Sequence, residues 1–232
     1  MSAGVTFTIK ALSGFQAKNL TFANDYVVGS ATGDDQSAVA LLNQSDRAQF
    51  ENVRFLGHVS TLYVKSVDIY TVARSYFRDC TVEGDQEIVL GRGTAVFDHT
   101  EIKYLAGRQP TGGVLAAPST LLDNHYGFLF VSCQFTAETG ASAIALAHQW
   151  WEGGQPKAVR KMIVRNSTLG SHILSSAPWA ASSTRTTTPK NPSGTTPVTL
   201  YTSDDYFAAG TGPAPAEPYL AEYGNSGPGA GL

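Results

Sequence analysis

The chain has 232 residues, 42% of them hydrophobic and 15% charged, and its 16 basic and 19 acidic residues leave a net charge of −3. That balance argues against nucleic acid or an anionic membrane as partner, and no apolar run approaches the roughly 18 residues needed to span a bilayer. The length suits one large domain with a substantial core, and low charge with 23 glycines points to a β-rich chain with many tight turns.

The first ten residues, MSAGVTFTIK, lack the basic-then-apolar order of a signal peptide. From VTFTIKA onward, short β-branched segments alternate with turns: QFENVRF, YFRDCTV, AVFDHTEI, FLFVSCQF and KMIVRNSTL. A small polar-then-apolar pattern recurs inside them. It reads Asn19-Leu-Thr-Phe22, Asn52-Val-Arg-Phe55, Asp79-Cys-Thr-Val82, His99-Thr-Glu-Ile102, Ser132-Cys-Gln-Phe135 and Asn166-Ser-Thr-Leu169, at spacings of 33, 27, 20, 33 and 34 residues. Repeats of this length indicate a solenoid or a propeller. No helical pattern separates the strands, which excludes a βαβ plan, and the unequal spacing suits coils of varying length better than equal blades. The expectation is all-β: a single-stranded right-handed parallel β-helix, one domain over residues 1–232.

Cys80 and Cys133 hold the same repeat position with Thr100 between them. Strands stack about 4.8 Å apart, so the two sulfurs belong two coils apart, roughly 9–10 Å. A disulfide needs Cα atoms within about 7 Å, so two free buried thiols are expected. Further on, residues 182–198 are polar and low in complexity, as in a long exposed loop, and residues 208–232 begin as an extended Ala/Gly/Pro-rich segment.

Other signals are weak. Gly91-Arg-Gly93 lacks the third glycine and following helix of a dinucleotide site. His58, His99, His125, His148 and His172 show no metal-ligand spacing. Asn19, Asn43 and Asn166 lie in Asn-x-Ser/Thr sequons; the first and last hold the repeat position, which leaves Asn43 as the glycosylation candidate. Asp34-Asp35 reads as a solvated turn.

Several segments, in order, resemble the pectin methylesterase family. They are GFQAKNLTFAN, SAVAL at 37–41, GHVSTLYV at 57–64, VEGDQEIVLGRGTAVF at 82–97, APST at 117–120, ALAHQWW at 145–151 and the closing EYGNSGPGAG at 222–231. The resemblance implies the parallel β-helix, a cleft for a pectin-like polyuronide, an extracellular location and no cofactor. It also implies coils ahead of this start, supplied by a further segment or a second chain. The family hydrolyses a methyl ester with a nucleophilic aspartate, an acid/base aspartate, an arginine that orients the nucleophile, and glutamines that donate to the oxyanion.

This sequence departs from that set. The acid/base position holds Ser60, preceded by Val59; the nucleophile position holds Glu87, preceded by Gln86; the first-motif glutamine aligns with Ser37, with Gln36 one residue early; and the arginine aligns with His148. Trp150 is kept. Three readings follow from the resemblance. The site has lost its chemistry and the cleft only binds. Alternatively, Ser60, His148 and Glu87 act as nucleophile, base and orienter. In the third reading, Glu87 or Asp85 attacks with Gln86 or Gln36 as oxyanion donor. Trp150, Trp151, Tyr63 and Tyr126 are candidates to stack on sugar rings, with plain packing as the other reading.

Overall fold

The structure is a computed structural model that describes residues 4–26, 37–121, 124–148, 150, 152, 158–180, 200–201 and 220–231. The segment 182–198, the stretch 208–219, Gln36 and Trp151 lie outside the described residues.

The strands stack into three long sheets. The first sheet has eight strands and includes Val39–Asp46, Leu62–Val64, Val89–Gly91, Val114–Pro118 and Ala145–His148; the second has seven and the third six. Within each, successive coils pair in parallel; among the described residues the one antiparallel step in the three is Trp179–Ala180 with Leu200–Tyr201. The chain winds once through all three sheets and returns one coil further on, which is a right-handed parallel β-helix. The stretch Leu220–Tyr223 is the last strand of the second sheet, paired on Met162–Arg165.

The repeat is the corner between the second and third sheets. All six of its polar residues, Asn19, Asn52, Asp79, His99, Ser132 and Asn166, sit at φ between 50° and 57°. One left-handed residue turns the chain sharply from one strand to the next. Asparagine and aspartate bear that conformation better than other non-glycine residues. Asn52 Nδ2 donates to Asn19 Oδ1 at 2.8 Å, linking the first two corners. Three residues on, the apolar member points inward: Phe22 pairs with Phe55, Phe55 with Val82, Val82 with Ile102, Ile102 with Phe135 and Phe135 with Leu169.

The core is therefore a set of columns. The second sheet stacks Phe50, Phe77, Phe97 and Phe130 with ring centroids 4.8, 4.7 and 4.5 Å apart and planes within 8° of parallel. The residue just after each corner from the second onward forms another buried column, Val53, Cys80, Thr100, Cys133 and Ser167, while Leu20 after the first corner is exposed. Both cysteines are free and buried. Burial pushes their thiols up, to about 11 for Cys80 and about 12 for Cys133.

Asn43 corrects the sequon reading. It is fully buried, donating to Ser75 Oγ at 2.8 Å while its Oδ1 accepts from the Ser45 amide at 3.1 Å. A glycan has no room there.

Candidate active site

The first sheet carries the site. Its inward residues Leu41, Leu62, Val89, Ala116 and Ala147 join the main core. The next residue on each strand faces the other way, so Tyr63, Leu90 and Ala117 form a separate cluster with Val39 and Trp150. His148, one position beyond Ala147, falls in this outer column.

Ser60 and Glu87 hold equivalent places two residues ahead of Leu62 and Val89, and both are left-handed, at φ 63° and 48°. Neither residue type favours that region, so each carries of order 1 kcal/mol of backbone strain, a feature that recurs at functional sites. The Ser60 amide donates to Gln86 O at 2.9 Å and the Glu87 amide to Val114 O at 2.8 Å, which pins the kinked turns coil upon coil.

His148 Nε2 lies 3.1 Å from Glu87 Oε1, and both side chains are buried. An imidazole-on-carboxylate contact thus joins residues 61 positions apart. Ser60 is buried, and its hydroxyl makes no hydrogen bond to His148 or to any other group among the described residues. Gln86 spends its side-chain carbonyl on the Val114 amide at 3.1 Å, leaving its amide nitrogen unbonded among the described residues. Ser37 is buried. Trp150 is buried against Tyr63, ring centroids 5.6 Å apart, whereas Tyr126 stands 75% exposed.

Asp85 turns to different partners. Its carboxylate is 1% exposed, with Oδ2 3.3 Å from both His58 Nδ1 and Arg108 Nε. Oδ1 has no partner. Burial raises its pKa despite the opposing charges of Arg108 and His58. An acid so enclosed is poorly placed to attack an ester.

Sequence reasoning missed a second cluster on the same face. Glu152 Oε1 receives Lys65 Nζ at 2.7 Å, Arg92 NH1 at 2.8 Å and the Tyr63 hydroxyl. Arg92 also donates to Ser66 Oγ at 2.9 Å and Ser66 O at 3.1 Å, and the Glu152 amide donates to Ser119 Oγ at 2.9 Å. Burial first, and then the Glu152 charge, push the Tyr63 phenol far up, so it stays a donor. Among the described residues no group of three or more His, Cys, Asp or Glu gathers as a metal site.

The fold defines the class, a single-stranded parallel β-helix with a buried carboxylate–imidazole pair on the outer face of its largest sheet. Comparison gives the family. The family model Pectinesterase matches residues 2–189. A pectinesterase of Ralstonia solanacearum is 38% identical over 183 residues, 73% of this chain and 46% of the relative. Pectinesterase B of Dickeya dadantii is 33% identical over 186 residues, 73% of this chain and 43% of the relative. The structure of rice weevil pectin methyl esterase matches with a TM-score of 0.75 at 29% identity, covering 99% of this chain and 60% of that one. The chain belongs to the pectinesterase family, and spans about half the length of the curated relatives it matches.

Proposed function

We propose that this chain is a pectinesterase-family β-helix whose outer sheet face still meets a pectin-like polyuronide, with methyl-ester hydrolysis weak or lost. The observation that carries the reading is the Glu87–His148 pair: the carboxylate at the nucleophile position is buried and engaged by an imidazole at 3.1 Å. Beside it, the acid/base position holds Ser60, which has no acidic proton to give a leaving methanol. Losing one oxyanion donor costs about 3–4 kcal/mol in the transition state. A nucleophile misplaced by about 1 Å loses a further factor of order 10². The reading carries an extracellular location with it, where such polymers lie.

The test is methanol release from methylated pectin, set beside binding of a de-esterified oligogalacturonate. Binding without turnover is the expected outcome. Turnover at or above about 1 s⁻¹, an ordinary enzymatic rate, overturns the loss of chemistry.

A serine-type esterase is the second reading, favoured by the same contact. Glu87 engages His148 Nε2, and the reading requires the other ring nitrogen to reach the Ser60 hydroxyl during catalysis, a contact the structure does not make. The arrangement then has a nucleophile, a base and an orienting carboxylate. Hydrolysis of p-nitrophenyl acetate that disappears in Ser60→Ala, His148→Ala and Glu87→Gln alike supports it. Loss in Glu87→Gln with Ser60→Ala unchanged points instead to carboxylate attack.

A further inference from the structure

The Glu152 cluster has a construction the candidate catalysis does not use. Lys65, Arg92 and Ser119 are one column. Tyr63 pairs with Leu90 and Gly91 with Pro118, so the same register carried just past the strand ends brings 65, 92 and 119 level on three successive coils. Two cations and a hydroxyl thus line the edge of the first sheet, parallel to the solenoid axis. The glycines around Arg92 make this possible. Gly91 sits at φ 119°, and a Cβ there would lie 2.0 Å from Val64 O, so the chain hugs the neighbouring coil where it launches Arg92. Ser66 takes two of the guanidinium nitrogens, Nε and NH2, and so fixes the plane of Arg92 with NH1 aimed outward from that bond pair.

The anion that fills this array is poorly matched to it. Tyr63, Lys65 and Arg92 all converge on Oε1 of Glu152, while the buried Oε2 has no partner among the described residues. Two cations face one carboxylate, a net charge of +1 in a largely water-free setting. Charge–charge terms there are strong and an unpartnered carboxylate oxygen is costly. Lys65 remains 20% exposed along its side chain, so the array reaches solvent.

We infer that Tyr63, Lys65, Arg92 and Ser119 form a carboxylate-receptor site that takes the free carboxylate of a uronate residue, with the chain's own Glu152 as the resident competitor. The identity of the sugar rests on the polyuronide reading above; the receptor for a carboxylate does not. A methyl-esterified residue is neutral and has no claim on the two cations, so the site selects de-esterified stretches of polymer.

The test compares wild type with Glu152→Gln, which keeps the shape and removes the competing charge. De-esterified hexagalacturonate binds the variant at least tenfold tighter than it binds wild type, and the fully methylated hexamer gains nothing. Adding Arg92→Gln to Glu152→Gln abolishes the gain. Glu152→Ala gives an independent readout: acetate fills the space left and raises the melting temperature of this variant but not of wild type, which keeps the inference testable if Glu152→Gln does not fold. Acetate rescue without hexamer binding upholds the receptor and sinks both the uronate assignment and the polyuronide reading. Hexamer binding that is equal in all variants, with no acetate effect, upholds the polyuronide reading and overturns the receptor. No effect of either probe overturns both.

Discussion

His172 is buried at 4% exposure and its Nε2 has no partner among the described residues. Burial alone lowers its pKa from 6.5 to about 4. A histidine depressed in the folded state is neutral there and readily charged in the unfolded chain, so protons favour unfolding. Its contribution is intact above pH 6.5, falls as the pH drops from 6.5 toward 4, and stays low below that. At 1.36 kcal/mol per unit, the loss across that window is about 3 kcal/mol at most. Wild type should lose stability between pH 7 and 4.5, and His172→Gln should lose clearly less; urea midpoints across the range decide it. Asp85 works the other way, since its raised pKa means protonation favours the fold as pH falls. Comparing variant with wild type cancels that background. Single residues were also where sequence reading failed. A sequon says nothing of which face a residue takes, and Asn43 lies on the inner face of its strand, hydrogen-bonded to Ser75. Sequence reading assigns Gly91 and Gly93 no role beyond excluding a dinucleotide site, and both serve close coil-to-coil approach against Val64.

At the scale of elements, the recurring corner made the fold legible. Each coil must turn from the second sheet to the third in one left-handed residue, so the same small set of residue types recurs there, and the inward residue three positions on must be apolar. The site was legible only through the resemblance. Glu87 and His148 come from coils 61 residues apart, and Lys65, Arg92 and Glu152 from three separate stretches; no local period encodes such meetings. The corner itself is testable at Asn52. Its φ of 51° costs a Cβ-bearing residue about 1–2 kcal/mol unless its side chain compensates. Its amide bond to Asn19 adds about 1 kcal/mol. Asn52→Ala should therefore destabilise by about 1–2 kcal/mol. Asn52→Gly, free of the backbone strain, should recover much of that. Equal losses in the two variants would show that the side-chain bond, and not the left-handed turn, holds the corner.

Across the whole molecule, stability is propagated along columns, because each coil touches only its neighbours. Phe97 shows this most sharply. Its ring is stacked on Phe77 at 4.7 Å on one side and on Phe130 at 4.5 Å on the other, and is met edge-on by Phe128 at 6.3 Å. Truncating it removes contacts to two coils at once and opens a cavity that neither neighbour can fill without leaving its own stack. Phe97→Ala should cost about 3–5 kcal/mol, at the upper end for core aromatics. Phe22, on the first described coil, stacks on Phe55 at 5.6 Å and is only partly buried, so Phe22→Ala should cost less than half as much. Denaturant midpoints followed by circular dichroism and by tryptophan fluorescence test the ranking. They also test the coupling. Trp150 and Trp179 report coils beyond Phe97, so if the columns bind the solenoid into one unit, both probes must fall together in the Phe97 variant. Separate transitions would mean that the coils on either side of the stack hold their own structure once the central ring is gone.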